Sequence, residues 1–216
     1  MKIIFVRHGK DDSNYRGGWS TMDLTEEGKI QAMRLAEFLY SQKGTFDISK
    51  IVSSDLPRTV STAKAISYKL KIPFHVDARL REMNNGELAG MKNEVASIKY
   101  PGLYFNTLKM DEKYPNGESP REFFDRIQKW FFDFIKMYED FESNIIVVTH
   151  SGVINIIYYI INNMAWTNRE KPFKVSNCSV HILNTKTMKF EEKHHVLLEL
   201  IIEYEKNSKE FSKKDG

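Results

Sequence analysis

Two short apolar runs constrain this chain more than any other feature: "KIIFV" from Lys2 and "NIIVVT" from Asn144. Both are rich in β-branched residues and lack polar alternation, the pattern of parallel strands covered on both faces. Each leads straight into a histidine, through Arg7-His8-Gly9 in the first case and His150-Ser151-Gly152 in the second. A chain with two such strands needs helices on both sides of its sheet.

The segments between and around them supply those helices. "LTEEGKIQAMRLAEFLYSQKG" predicts a helix capped by Thr25, with Ala32, Leu35, Ala36 and Leu39 facing inward and Gly44 ending it. "ISKIVSS" reads as a strand, "DLPRTVSTAKAISYKL" as a helix with Pro57 in its first turn, and "PFHV" as a short strand. In "SPREFFDRIQKWFFDFIKMYEDF", Ser119, Pro120 and Glu122 form a capping-box helix start. "SGVINIIYYIINN" is a buried helix, and "CSVHILN" and "MKFEEKHHVLL" are closing strands. The expected fold is α/β: three layers, with a mostly parallel sheet between helices. Residues 1–205 are expected to form a single domain. The weakly periodic stretch at 84–117 should lie over one end of the sheet as a partly irregular excursion, and 206–216 should be a flexible basic tail.

Charge and cysteine content narrow the setting. A formal net charge of +3 on 216 residues is too small for a nucleic-acid binder. The apolar runs are too short for a signal peptide core or a membrane span, so no membrane partner is expected. A lone cysteine, Cys178, rules out an intrachain disulfide and suits the cytoplasm. A homodimer would be unsurprising.

Ligands of such sheets bind beyond the carboxyl ends of the strands. The residues that fall there are Arg7, His8 and Gly9, then His150, Ser151 and Gly152, with Arg58 at a helix start and Glu82 just after the third strand. Two guanidiniums match phosphoryl oxygens, and a helix amino terminus adds N–H groups. A neutral imidazole can attack phosphorus, a protonated one can bind the oxygens, and a carboxyl group can carry the proton. Zinc-ligand spacings, a GxSxG elbow and a GK[ST] loop are missing from the sequence. The chemistry expected is phosphoryl transfer without metal or organic cofactor.

The chain resembles the histidine phosphatase superfamily, the phosphoglycerate-mutase-like proteins, in five ordered motifs: "RHG", "SDLPRTVSTA", "LREMNNGELAG", "NGES" and "VTHSG". That resemblance implies His8 as the phosphate-accepting nucleophile, Glu82 as proton donor, and Arg7, Arg58 and His150 as phosphoryl ligands. Asn14 would add a hydrogen bond, and Ser151 and Gly152 belong to the same binding group. Lys10-Asp11 stands where the family often carries Glu-Thr, and Thr21 where it often carries aspartate. Lys10 is a candidate for drawing in a second anionic group. Tyr15, Trp19, Tyr100, Tyr104 and Phe105 are candidates for a roof. The expected activity is hydrolysis of a small phosphorylated metabolite. Phosphoglycerate mutase is the nearest alternative, and a non-catalytic phosphate- or protein-binding module the next.

Overall fold

A computed structural model describes residues 1–196. The expected tail at 206–216 and the end of the last expected strand lie outside the described residues.

Six strands form one sheet: β1 (Lys2–Arg7), β2 (Ile48–Ser53), β3 (Phe74–Val76), β4 (Asn144–Thr149), β5 (Val180–Asn184) and β6 (Lys189–His194). Their order across the sheet is β3-β2-β4-β1-β5-β6. β3, β2, β4 and β1 run parallel, while β5 and β6 add an antiparallel edge. The helices are α1 (Glu26–Ser41), α2 (Lys43–Phe46), α3 (Pro57–Leu70), α4 (Asn93–Lys99), α5 (Pro120–Met137) and α6 (Ser151–Ile161).

The two founding runs behave as their composition dictates. Along β1, Ile3 and Phe5 enter a core shared with Phe123, Trp130 and Phe131 of α5 and Val153 and Ile157 of α6. Ile4 and Val6 face the opposite core, with Leu35 and Leu39 of α1 and Ala63 and Ile66 of α3. Strand alternation thus divides one apolar run between two cores, giving the expected three layers. Each fully buried Ile, Val or Phe contributes about 1.5–3 kcal/mol. Among the described residues no helix is long and apolar enough to cross a membrane.

One local expectation changes. The first helix ends at Ser41 rather than at Gly44, and Gly44 lies inside the single turn α2. Asp47, at φ 39°, supplies the left-handed turn instead, because burying Phe46 requires that extra turn before β2. The stretch at 84–117 contains short ordered pieces between turns and bends. It holds a 3-10 turn at Gly86–Leu88 and the helix α4, pinned by buried Leu88, Ala96, Leu108 and Tyr114.

The capping box of α5 forms as expected, with Ser119 accepting from the Glu122 N–H and Glu122 accepting from the Ser119 N–H. Ser119→Ala is expected to lower unfolding free energy by about 1 kcal/mol, read from the urea midpoint. An unchanged midpoint would mean the cap is dispensable.

Candidate active site

The parallel register pairs Arg7 with Thr149, so the next residue on each strand, His8 and His150, must lie side by side. The His8 N–H donates to the Thr149 carbonyl at 3.1 Å, and the two ring centroids are 5.1 Å apart. Both imidazoles are buried, as is Arg58 at the start of α3, which is 2% exposed.

Hydrogen bonds fix how each ring is presented. His8 Nδ1 lies 2.7 Å from the Gly9 carbonyl oxygen. A carbonyl only accepts, so Nδ1 carries the hydrogen and Nε2 keeps its lone pair. Burial, then Arg58 and Arg7, push the His8 pKa well below 6.5, which keeps the ring neutral. Gly9 has a steric reason, because a Cβ there would sit 2.5 Å from the Gly28 carbonyl oxygen at the start of α1.

His150 is also held well below 6.5, by burial and then by Arg58, His8 and Arg7. The sequence reading expected it protonated; burial and then the neighbouring cations keep it neutral, and an anion alongside would favour its charging. Its Nε2 is 3.0 Å from Ser54 Oγ, the first residue after β2. Its Nδ1 is buried without a hydrogen-bond partner.

The guanidiniums are anchored at their tips. Arg7 Nη1 donates to the Val175 carbonyl at 2.8 Å; Arg58 Nη2 donates to that of Gly18 at 2.7 Å and Nη1 to that of Ser20 at 3.3 Å. Both Nε atoms are buried without a hydrogen bond, although Arg58 Nε lies 3.5 Å from an Asp11 oxygen. Burial lowers both guanidinium pKa values, and the carboxylates of Asp11 and Glu82 oppose that shift. Arg7, Arg58 and His150 thus each keep a buried nitrogen without a hydrogen-bond partner.

Glu82 is mounted against the amino terminus of α6. Its Oε2 accepts from the Gly152 N–H at 2.9 Å, and its Oε1 from the Met83 N–H at 3.2 Å. The Gly152 N–H, expected to face a phosphate, is therefore occupied by the carboxylate. A Cβ on Gly152 would lie 2.2 Å from Glu82 Oε1, so the glycine makes room for the acid. The Glu82 carbonyl is gripped by Trp19 Nε1 at 2.7 Å and Arg126 Nη2 at 3.2 Å. Arg126 is held in turn by Glu118.

The structure brings Arg7, His8, Arg58, Glu82, His150 and Gly152 together. Ser151, half-buried, opens α6 beside them. Asn14 is exposed, and no hydrogen bond joins its side chain to this cluster; its backbone instead ties the loop to Asn93. The Lys10 ammonium pairs with Glu27 of α1. Sequence reasoning missed three residues. Ser54 was detectable, being polar directly after a strand; Arg126 and Asp11 carried no local signal.

The sequence profile of the histidine phosphatase superfamily (branch 1) matches residues 3–197. The chain belongs to this superfamily. Phosphoglycerate mutase-like protein 4 of Arabidopsis thaliana is 32% identical over 188 residues, covering 84% of this chain and 78% of that relative. Among solved structures, the α-ribazole phosphatase from Shigella flexneri has a TM-score of 0.72 at 23% identity, covering 85% of this chain and 90% of its own. A mycobacterial glucosyl-3-phosphoglycerate phosphatase has a TM-score of 0.71 at 22% identity, covering 88% and 95%. At those identities the two structures speak for the fold alone.

A pH dependence follows from the buried histidines. His181, held between Tyr158 and Ser179, is lowered to about 3 by burial. With His8 and His150, that makes three imidazoles whose folded pKa values lie below their unfolded ones. The unfolded chain then binds more protons below pH 6.5, so this contribution is complete above that pH and is lost as pH falls. Each imidazole adds a slope of up to about 1.4 kcal/mol per pH unit. Urea midpoints are expected to drop from about pH 7 to about pH 5, with a shallower fall in His8→Asn. Equal slopes in the two proteins would mean that His8 is not held neutral.

Proposed function

We propose that this chain is a metal-independent phosphomonoesterase that hydrolyses a small phosphorylated metabolite through a phosphohistidine on His8. The observation that carries this reading is the His8 tautomer: a neutral ring, its Nδ1 hydrogen committed to Gly9, with the Nε2 lone pair beside donors that lack acceptors.

In the first step His8 Nε2 forms a bond to phosphorus as the ester P–O bond breaks. Arg7, Arg58 and His150 hold the equatorial oxygens, supplying the positive charge that a metal supplies elsewhere. Glu82 takes the proton of the ester monoanion as it binds and passes it to the departing alkoxide. In the second step Glu82, now a carboxylate, takes a proton from water as that water attacks phosphorus. The P–N bond breaks, and inorganic phosphate leaves with the proton held by Glu82, restoring neutral His8 and the Glu82 carboxylate. Ser54 orients His150, and Trp19 and Arg126 fix the segment that carries Glu82. Ser151, in the first turn of α6 beside His150, is a further candidate to bind the ester. A cytoplasmic setting fits the buried lone thiol of Cys178.

Retransfer to a second alcohol uses the same pocket, and the similarity to phosphoglycerate mutase-like proteins favours that alternative. The two readings part at the phosphohistidine: water ends hydrolysis, whereas a mutase returns the phosphoryl group to substrate.

The test is a panel of phosphate esters assayed with EDTA present. Phosphate release is expected to survive chelation, to fall by roughly 1,000-fold or more in His8→Ala, and by about 100- to 10,000-fold in Glu82→Gln. Isomerisation of phosphoglycerates without phosphate release would establish the mutase. Release unchanged in His8→Ala would overturn the histidine pathway, and tight phosphate binding without turnover would favour a binding module.

Asp11 places a negative charge beside Arg58, where it competes with an incoming phosphoryl group. Asp11→Asn is expected to lower the inhibition constant for inorganic phosphate by about three- to tenfold. A higher constant would mean that Asp11 aids binding by positioning Arg58.

A further inference from the structure

The tautomer of His8 depends on where the Gly9 carbonyl points, and Gly9 lies in neither strand nor helix. Two peptide groups set that direction: the one joining His8 to Gly9 and the one joining Gly9 to Lys10. Both are gripped by side chains that take no part in the phosphoryl steps.

The His8 carbonyl accepts from Asn177 Nδ2 at 3.2 Å and from the Cys178 N–H at 3.3 Å, both in the turn before β5. On the other side of the same peptide, the Gly9 N–H donates to Thr62 Oγ1 of α3 at 3.1 Å. That hydroxyl is itself oriented: it donates to the Arg58 carbonyl at 2.8 Å and so presents a lone pair to Gly9. The next peptide is held by α1, where Gln31 Oε1 accepts from the Lys10 N–H at 2.9 Å. An N–H engaged in this way polarises its peptide and strengthens the carbonyl at the other end as an acceptor. That carbonyl is the Gly9 oxygen 2.7 Å from His8 Nδ1. Gly28 lets α1 approach so closely, since a Cβ there would sit 2.0 Å from the Lys10 carbonyl oxygen.

The support for Asn177 reaches into the core. Ser179 Oγ donates to the Ser176 carbonyl at 2.7 Å, so it must accept from His181 Nε2, 2.8 Å away. His181 Nδ1 then accepts from the Tyr158 hydroxyl at 2.9 Å. This chain fixes the turn that carries Asn177 and Cys178. It also accounts for a fully buried imidazole on β5 that no phosphoryl step uses.

We infer that Gln31, Thr62 and Asn177 are positioning residues for the nucleophile: by clamping the two peptides after His8, they aim the Gly9 carbonyl at Nδ1 and leave the Nε2 lone pair free for phosphorus. This deepens the phosphomonoesterase reading and rests on it for the use made of Nε2. With the clamp loosened the carbonyl turns away, hydrogen can move to Nε2, and the attacking nitrogen loses its lone pair. Misplacing a reacting atom by about 1 Å can lower a rate by about 100-fold.

The test pairs variants that keep the shape but lose the acceptor, Gln31→Met and Thr62→Val, with variants that keep it, Gln31→Glu and Thr62→Ser. Nitrogen-15 NMR of the imidazoles in ligand-free protein at neutral pH reads which nitrogen of His8 carries hydrogen, with His8→Asn identifying the signals. The wild-type protein is expected to carry it on Nδ1. Gln31→Met and Thr62→Val should each show a mixture of tautomers and a kcat lower by about tenfold, with KM within about twofold. Gln31→Glu and Thr62→Ser should restore both readouts. Asn177→Leu should act in the same direction but more weakly, because the Cys178 N–H still holds the His8 carbonyl. If Thr62→Val, at a fully buried position, does not fold, the half-buried Gln31 carries the test. Hydrogen that stays on Nδ1 in Gln31→Met and Thr62→Val, a kcat they leave unchanged, or an equal loss in the acceptor-keeping pair overturns the clamp. The ring signals need no turnover, which separates this inference from the hydrolytic reading. Altered signals in a series whose wild type releases no phosphate sink hydrolysis alone, whereas wild-type turnover with unaltered signals throughout sinks the clamp alone.

Discussion

The site depends on the direct parallel pairing of β1 with β4. Because Arg7 is opposite Thr149, no freedom remains in where His8 and His150 fall: they are consecutive steps off adjacent strand ends. The backbone bond from His8 N–H to the Thr149 carbonyl extends the ladder one residue beyond the strand. A one-residue slip would turn these side chains to the opposite face and exchange the two cores at the same time. The apolar residues that stabilise the sheet therefore also specify how His8 and His150 meet.

That geometry places cations where water is scarce. Arg7, Arg58 and two imidazoles share a buried space, and each imidazole answers by staying neutral. The guanidiniums cannot, so their tips take backbone carbonyls while their Nε atoms remain unsatisfied. Asp11 and Glu82 offset part of the positive potential. An anion in this space would offset the rest.

Glu82 shows how a polar residue is placed by elements remote in sequence. The first turn of α6 donates to its carboxylate, the absent side chain of Gly152 leaves the space, and Trp19 and Arg126 hold its backbone. The acid and His150 are thereby referred to the same short piece of chain, since α6 begins directly after His150. A shift of that helix start would move both together.

Much of this was legible in the sequence. Unbroken β-branched runs identify strands buried on both faces, and the filter of polar residues following strand ends selected Arg7, His8, Glu82 and His150, because strand ends are local features. Capping at Thr25 and Ser119 was readable for the same reason. Tertiary structure decided what depends on long-range approach: that Lys10 pairs with α1, that Gly152 serves Glu82, that Ser54 meets His150, and that Arg126 reaches across to 79–82. The stretch at 84–117 gained its order in the same way, from contacts with residues far along the chain, because its own periodicity is too weak to specify them. Residue spacing carries periodicity and therefore faces and ends, whereas partnership between side chains is set only when the sheet closes and the helices pack upon it.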